Sequence, residues 1–347
     1  MVLKEILKGN SKEPYIIVET AFSHEGSFEY LKQMIDEMKY VNNIGLKFQV
    51  LIEKDEFLTP ANSVYETLDQ WLLNAEQWKE LIEYAEGQNV SVILAVLDQR
   101  GLELAIDLCD KISAIEIHPS CIPDAEFMNK AVKFCEESDI LLILGISGFS
   151  FYEIEYMIRV YLKGFDKDRL LLMYGFQNYP TLLTSLHLNR IQLLEEKFKM
   201  KIAYADHTEY DNELKNYLIA LVYGKGINII ELHYVLESGA ERTDYITAYD
   251  TKRIIEIRDK LLLLNQALGE KTESMSEPEK VYSLKFRKIP VYGENFPKGH
   301  VLKLQDIQFK RSNIPSQFLI SEIEGIVGRK LIENVIKDQE ITSRELK

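Results

Sequence analysis

Short apolar runs alternate with longer amphipathic stretches from Tyr15 to about Gln266. Eight runs have the β-branched or aliphatic content of buried strands: 15–19, 45–51, 90–96, 114–118, 140–146, 169–175, 201–207 and 227–233. The stretches between them place apolar residues three and four positions apart, which is the spacing of an amphipathic helix. Eight strand-and-helix units predict a (β/α)8 barrel rather than an open, doubly wound sheet. No GxGxxG motif follows the first strand, which also counts against a dinucleotide-binding fold.

The chain changes character near residue 269. Residues 269–280 (GEKTESMSEPEK) are polar and charged and contain a proline, which is the composition of a linker between domains. The residues that follow form short strand-like pieces separated by Gly and Pro. We therefore expect a barrel domain at 1–268, a linker at 269–280 and a small β-rich domain at 281–347.

The composition is that of a globular protein with an acidic balance. Lys and Arg number 41 and Asp and Glu number 55, which gives a formal charge of -14. This argues against nucleic acid as the main partner, because phosphate contacts require a basic surface. Three cysteines without a CxxC pair are typical of free thiols. The amino terminus does not resemble a signal peptide and no run of 18 residues is apolar, so we expect a cytoplasmic protein with no membrane partner.

Alternation within the strands separates apolar from polar side chains. Successive side chains of a strand point to opposite faces, and in a barrel one face meets the helices while the other lines the interior. Leu46, Phe48 and Val50 share one face of the second strand, so Lys47 and Gln49 share the other. The same rule assigns further polar side chains to the interior, near the carboxyl ends of their strands: Glu19, Glu116, His118, Glu231 and His233. Barrel enzymes carry their chemistry at this end, so we predict an active site there; the alternative is a salt-bridge network that fills the barrel.

Two histidines at the ends of neighbouring strands indicate a metal site. His207 follows Asp206 at the end of the seventh strand, and His233 ends the eighth. Adjacent strands lie about 4.8 Å apart, so the two imidazoles could reach one ion. Two nitrogen ligands with water or a carboxylate suit a divalent ion such as Mn, Zn or Fe, and such an ion polarises carbonyl groups. The alternative is that both are ordinary buried histidines.

Several segments resemble the sialic acid (N-acetylneuraminate) synthase family. They are YIIVETAFSHEG, LKFQ, LNAEQWKELIEYAE, NYPT, YADHTEYDNE and IIELHYVLESGAERTDY. Members of this family carry a (β/α)8 barrel and a small antifreeze-like (SAF) domain, which GHVLKLQDIQFKRSN and VGRKLIENVIKDQEI resemble. The resemblance extends from about Tyr15 to Arg344. It implies a domain-swapped homodimer that condenses phosphoenolpyruvate with an N-acetylmannosamine-like sugar aldehyde and releases phosphate.

The resemblance also implies roles for individual residues. His207 and His233 match the residues that hold a divalent metal, Mn or Mg, and Glu19 matches a glutamate beside the reacting centre. We expect Glu19 to act as the acid/base group and Asp206 to orient the metal site. The expected substrate-binding residues are Lys47, Gln49, Glu116, Gln177, Tyr179, Asp244 and Arg311, of which the last is lent to the site by the other subunit in the family.

The chain departs from the family pattern mainly where phosphoenolpyruvate binds. Glu116 and Pro119 occupy the positions of a phosphoenolpyruvate-binding lysine and a serine. An exchange of Lys for Glu turns attraction of an anion into repulsion of about 4 kcal/mol at about 4 Å and an effective dielectric constant of roughly 20. Further departures fall at Ser23, Glu25, Ala95, Gly145 and Ala205.

Three functions therefore stay open. The chain is a synthase that binds phosphoenolpyruvate through substitutes such as Arg100 and Ser147, or it performs a related condensation with another donor. The third possibility is a diverged paralogue without catalysis that binds a sugar or regulates a partner.

Overall fold

The computed structural model of the protein describes residues 2–176 and 178–347. The chain divides after Gly269 into two compact units, Met1–Gly269 and Glu270–Lys347. The first unit contains a closed parallel sheet, and the second contains a two-stranded antiparallel sheet.

Eight parallel strands close into a barrel in the order in which they follow one another along the chain. They are β1 (Tyr15–Glu19), β2 (Ile44–Val50), β3 (Val92–Val96), β4 (Ala114–Ile117), β5 (Leu141–Gly145), β6 (Leu170–Tyr174), β7 (Lys201–Asp206) and β8 (Ile229–His233). Strand β1 pairs with both β2 and β8, which closes the cylinder. The predicted barrel is thus confirmed, and each strand overlaps the apolar run that predicted it.

Helices connect the strands, and most of them cover the outside of the barrel. In the first unit they are α1 (Val2–Leu7), α2 (Phe28–Met38), α3 (Lys54–Phe57), α4 (Tyr65–Trp71), α5 (Ala75–Gly87), α6 (Gln99–Asp107), α7 (Ala125–Glu137), α8 (Phe151–Val160), α9 (Asn189–Phe198), α10 (Lys215–Gly224) and α11 (Thr251–Leu268). Several of these helices have a polar N-cap residue. Ser27 caps α2, and Ser150 forms a capping box with Glu153 at the start of α8. Within the described residues, none of the helices combines the length and the apolar character needed to cross a bilayer.

Two apolar cores lie on opposite faces of the barrel strands. The outer core packs strand residues such as Phe48 against helical residues such as Trp78. The inner core fills the barrel with residues such as Ile17 and Leu171, and Leu3 of α1 packs against it. Lys4 of α1 pairs with Asp139, which lies just before β5, so α1 covers the amino-terminal end of the barrel. The polar side chains of the interior are left for the opposite end, where barrel enzymes have their active sites.

The second unit differs from the expected linker and β-rich domain by one helix. It contains α12 (Glu277–Phe286), β9 (Lys288–Tyr292) and β10 (Ile307–Arg311), and the two strands pair antiparallel around a small core of their own. Helix α12 begins inside the segment expected to be a linker and ends inside the expected β-rich domain. Ser276 caps this helix in a capping box with Glu279, and Pro278 lies in its first turn. These are the residues of a helix start, which the overall polar composition concealed.

Candidate active site

The polar side chains of the interior gather at the carboxyl ends of the barrel strands. Glu19 lies level with Lys47 in β2 on one side and with His233 in β8 on the other. Glu116 from β4 and Glu231 from β8 line the same pocket, and all five side chains are buried. The structure therefore brings together the side chains that strand alternation assigns to the interior.

Glu19, His207 and His233 form a compact group of possible metal ligands. One ligand atom from each residue lies within 4.8 Å of the other two. His233 Nε2 is 3.0 Å from a carboxylate oxygen of Glu19, and the two imidazole centres are 4.9 Å apart. In the part of the chain that the structure describes, no other set of three such side chains comes as close.

The two imidazoles are buried, and their nitrogens are poorly satisfied. Nδ1 of His207 and both ring nitrogens of His233 lack an aligned hydrogen bond to any described residue. Burial, and then the neighbouring His233, lowers the pKa of His207 to about 3, so this ring is neutral at pH 7. Buried polar atoms without partners are costly, and neutral imidazoles are good metal ligands. The group therefore fits a divalent cation.

Glu19 is held in its ionised form. Burial raises its pKa, but Lys47, His233 and Gln49 together outweigh burial and hold the pKa well below the usual 4.5. Gln49 Nε2 donates to Oε1 of Glu19 at 3.0 Å, and Lys47 Nζ lies 3.1 Å from the same oxygen. Oε2, the other oxygen, is the one that approaches His233. An ionised carboxylate suits a metal ligand or a base, but it has no proton to donate as an acid.

Lys47 lies between three carboxylates at the centre of the mouth. Its ammonium donates to Glu116 and to Glu231 at 2.5 Å each, and Glu19 is the third neighbour. None of these side chains is more than 4% exposed. Burial lowers the pKa of Lys47, but the three carboxylates raise it well above 10.5. Lys47 is therefore a fixed cation whose charge is already shared among protein carboxylates.

The salt-bridge cluster around Lys47 fills most of the space beside it. The cavity that the cluster lines measures only about 20 Å³, which is room for roughly one water molecule. Burial raises the pKa of Glu116 and of Glu231, and the charge of Lys47 only partly opposes it. The alternative of a salt-bridge network is thus realised around Lys47, whereas His207 lies beside it with an unsatisfied nitrogen.

Tyr179 and Asp244 lie on the side of the histidines. The ring centre of Tyr179 is 5.3 Å from that of His207 and 5.4 Å from that of His233. Asp244 accepts a hydrogen bond of 3.4 Å from the backbone N–H of Phe22, and burial raises its pKa against the opposing charge of His233. Both residues therefore border the histidine side of the mouth. Gln177, another expected contact, lies outside the described residues.

Asp206 points away from the mouth. Its carboxylate pairs with Lys215 Nζ at 2.9 Å and accepts hydrogen bonds from the hydroxyls of Tyr204 at 2.9 Å and Thr208 at 2.8 Å. Tyr204 belongs to the outer core, so these contacts lie on the helix side of β7. Asp206 was expected to orient the metal site, but the contacts above join it to Lys215, Tyr204 and Thr208 and not to the metal group. These contacts are structural.

Two other residues considered for anion binding lie elsewhere. Arg100 on α6 is exposed, pairs with Glu103 at 3.6 Å, and does not line the pocket at Lys47. Arg311 belongs to the second unit, where it donates to the carbonyl of Lys285 at 3.4 Å and lies over the ring of Phe286.

Comparison with protein families decides where the chain belongs. The NeuB family matches residues 33–273, which is more than half of the chain. The chain belongs to the NeuB family. This confirms the resemblance to sialic acid synthases that the sequence segments indicated.

Relatives of this NeuB-family chain match over nearly its whole length. N,N'-diacetyllegionaminic acid synthase of Legionella pneumophila is 23% identical over 345 residues, which cover 94% of this chain and 93% of that protein. The structure of a putative spore coat polysaccharide biosynthesis protein E from Chromobacterium violaceum aligns with a TM-score of 0.79 and 18% identity, over 96% of this chain and 100% of that one. N-acetylneuraminic acid synthetase of Leptospira borgpetersenii aligns with a TM-score of 0.68 and 20% identity, over 78% and 90%. The low identities make this chain a divergent member of the family.

Two cations in this NeuB-family chain were not singled out from the sequence. Lys215 begins an otherwise apolar helix, and its burial against Asp206 could have been suspected from that setting. Arg242 pairs with Glu25 at 3.3 Å and donates to the carbonyl of Ser23 at 2.7 Å, while Glu25 also accepts from the backbone N–H of Thr243 at 2.8 Å. These contacts fasten the loop after β8 to the loop after β1. No local sequence pattern predicts this clamp, because Glu25 and Arg242 are over 200 residues apart in the chain.

Proposed function

We propose that this NeuB-family chain is a metal-dependent synthase of a sialic-type (nonulosonic) acid. It would join a three-carbon enol donor to an N-acetylmannosamine-like sugar aldehyde. The family resemblance implies phosphoenolpyruvate as the donor and phosphate as the second product. The observation that carries the proposal is the buried group Glu19, His207 and His233 at the barrel mouth, which offers an ionised carboxylate and poorly satisfied imidazole nitrogens.

Each side chain at the mouth has a distinct part in this proposal. Glu19, His207 and His233 would hold the divalent metal, Mn or Mg. Such an ion, when bound, supplies Lewis acidity that draws electrons from an aldehyde carbonyl. Tyr179 and Asp244 border the histidines and would contact the sugar. The deep burial of the group keeps bulk water away from the reacting carbon.

Two further proposals follow from the family resemblance. The second unit would be the antifreeze-like domain, which agrees in size with the expected segment 281–347 and carries a small antiparallel sheet. The chain would form a domain-swapped homodimer in which Arg311 of one subunit serves the site of the other. Sedimentation analysis that finds only monomers would reject this arrangement.

The metal site is tested with a matched pair of histidine variants. Purified protein loaded with Mn and then desalted should retain about one Mn per chain. His207→Asn should lose the metal, whereas His187→Asn, which alters an exposed histidine, should retain it. The activity is tested by phosphate release and by mass spectrometry of the product with phosphoenolpyruvate and N-acetylmannosamine. Absence of both bound Mn and any sugar-acid product across a panel of amino-sugar aldehydes and donors would reject the proposal.

A second function is favoured by the cluster around Lys47. Glu116 and Glu231 engage the one ammonium that the family resemblance assigns to phosphoenolpyruvate. A diverged paralogue would then bind a sugar at the histidines without condensing it. It predicts saturable binding of N-acetylmannosamine, unchanged by Glu19→Gln, with no product from any donor.

A further inference from the structure

Arg242 forms the β8 side of the clamp that joins the loops after β1 and β8. Its Nε donates to the carbonyl of Ser23 at 2.7 Å, and its Nη2 lies 3.3 Å from the carboxylate of Glu25. The guanidinium also lies over the ring of Tyr30 in α2, 4.0 Å from the ring centre. Tyr30 in turn accepts a hydrogen bond of 3.0 Å from the backbone N–H of Leu236, in the loop after β8. Arg242 is therefore held both by the loop after β1 and by α2.

Glu25 forms the β1 side of the clamp and uses both of its carboxylate oxygens. Oε2 pairs with Arg242, whereas Oε1 accepts from the backbone N–H of Thr243 at 2.8 Å and from its hydroxyl at 3.1 Å. An isolated ion pair at a protein surface stabilises little. Here 26% of the Arg242 side chain and 34% of the Glu25 side chain are exposed, and each partner also bonds to the backbone of the other loop. The clamp therefore fixes the positions of two backbones as well as of two side chains.

Asp244 directly follows the clamp and has a backbone conformation that requires support. Its φ of 63° lies in the left-handed region, which is unfavourable for residues other than Gly, although Asp tolerates it better than most. Its carbonyl accepts from the backbone N–H of Thr247 at 3.3 Å, and Glu25 holds the preceding residue, Thr243. Such a conformation persists only where the surrounding contacts determine it. The clamp supplies these contacts on the amino-terminal side of Asp244.

The side chain of Asp244 connects the clamp to the barrel mouth. Its carboxylate accepts a hydrogen bond of 3.4 Å from the backbone N–H of Phe22, in the loop after β1. It lies close enough to Tyr179 and His233 for its charge to act on both. A change of φ at Asp244 would redirect this carboxylate. The proposed metal ligands lie on β1 and β8 and at the end of β7, so they do not depend on the loop in this way.

We infer that Arg242 is a positioning residue for the sugar subsite and acts through Glu25 and Asp244. The inference rests on the proposed function and adds a residue that lies outside the metal group. The clamp would set the affinity for the amino-sugar aldehyde and leave metal binding unchanged. Ser23 and Glu25, which Arg242 contacts, are both positions at which the chain departs from the family pattern. The ion pair between Glu25 and Arg242 is therefore a feature in which this chain differs from that pattern.

The experiment measures sugar binding separately from metal binding. The Mn-loaded full chain is titrated calorimetrically with N-acetylmannosamine, and Mn retention is measured after desalting. The variants are Arg242→Gln and, as a milder change in case the first does not fold, Glu25→Gln. Arg258→Gln is the matched control, because Arg258 on α11 also pairs with a carboxylate, that of Asp259 at 2.7 Å, and donates to the carbonyl of Asn42, which precedes β2. Thermal unfolding checks that each variant is folded.

Loss of the clamp should weaken sugar binding without loss of metal. Arg242→Gln should raise the Kd for N-acetylmannosamine by at least about tenfold and Glu25→Gln by at least about threefold, because a displaced carboxylate no longer meets the ligand. Arg242→Lys, which keeps the charge, should have a smaller effect than Arg242→Gln, and Arg258→Gln should stay within about twofold of wild type. All variants should retain Mn. The inference is overturned by a folded Arg242→Gln or Glu25→Gln protein with wild-type sugar affinity, by loss of Mn together with the sugar, or by wild-type protein that binds no amino sugar.

A double-mutant cycle distinguishes positioning of Asp244 from a general loosening of the loops. Asp244→Gly removes the carboxylate but tolerates the left-handed backbone, and it should itself weaken sugar binding. Addition of Arg242→Gln to Asp244→Gly should then weaken binding by less than about twofold further, because the group that Arg242 positions is already absent. Additive effects of the two substitutions would show that Arg242 acts by another route and would overturn the inference.

A product assay separates failure of this inference from failure of the proposed function. With phosphoenolpyruvate and N-acetylmannosamine, Arg242→Gln should raise the KM for the sugar and change kcat by less than about threefold. Sugar binding that follows the expected pattern without any product would reject the synthase and leave the positioning role standing. Product formed by wild type and by Arg242→Gln with the same KM for the sugar would support the synthase and overturn the positioning role.

Discussion

Replacement of Lys47 by methionine tests whether three buried carboxylates depend on one ammonium. Lys47→Met keeps an unbranched apolar chain but removes the charge that lies 2.5 Å from Glu116, 2.5 Å from Glu231 and 3.1 Å from Glu19. Removal of one partner from a buried ion pair costs about 3–5 kcal/mol, because the remaining charge stays buried without compensation. Three carboxylates lose their partner here, so we expect the free energy of unfolding to fall by at least 3 kcal/mol at pH 7, the lower end of that range.

The pH dependence of this variant has a definite sign. Burial already raises the pKa of Glu116 and of Glu231 above the usual 4.5 with Lys47 present, and loss of the ammonium should raise both further. A carboxyl group whose pKa is raised by folding contributes stability below its unfolded pKa and loses it as the pH rises through the folded pKa. The stability difference between wild type and Lys47→Met should therefore shrink as the pH falls toward 4.5.

Urea unfolding monitored by circular dichroism measures both effects. Lys79→Met, which alters an exposed lysine on α5, serves as the control and should differ little from wild type. A second substitution, Glu231→Gln, should restore part of the stability of Lys47→Met, because it removes one of the uncompensated carboxylates. The reasoning fails if Lys47→Met lies within about 1 kcal/mol of wild type at pH 7 or if the difference grows as the pH is lowered.

Two further predictions concern buried groups away from the salt-bridge cluster around Lys47. Lys215→Met leaves Asp206 without its ammonium, and urea unfolding should show a loss of about 3–5 kcal/mol; an unchanged midpoint would show that the hydroxyls alone satisfy this carboxylate. Burial, and then Arg242, lowers the pKa of His24 to about 4 from the usual 6.5, so the folded state binds fewer protons than the unfolded chain between these values. The free energy of unfolding should therefore fall as the pH drops from 6.5 to 4, and a His24→Gln profile with the same slope as wild type in this window would contradict the assignment.

The sequence alone determined the barrel and the side of each strand that faces its interior. The reason is local: a strand shows its side chains alternately, so Phe48 and Lys47 must lie on opposite faces wherever the strand is placed. The same rule puts His233 and Glu231 together on the inner face of β8. Applied to the end of β7, it also places Asp206 opposite to His207. This explains why Asp206 lies outside the metal group although it directly precedes His207 in the chain.

Only the tertiary structure decided which polar groups contact one another. That Lys47 is shared by Glu116 and Glu231 depends on the stagger of strands far apart in sequence, and the spacing of residues within one strand carries no information about it. The clamp between Glu25 and Arg242 depends in the same way on two loops that meet only when the barrel closes. A residue type predicts what a side chain can bind, but its charge is available to a ligand only if the folded chain leaves it unpaired. The charge of Lys47 is already paired with those of Glu19, Glu116 and Glu231.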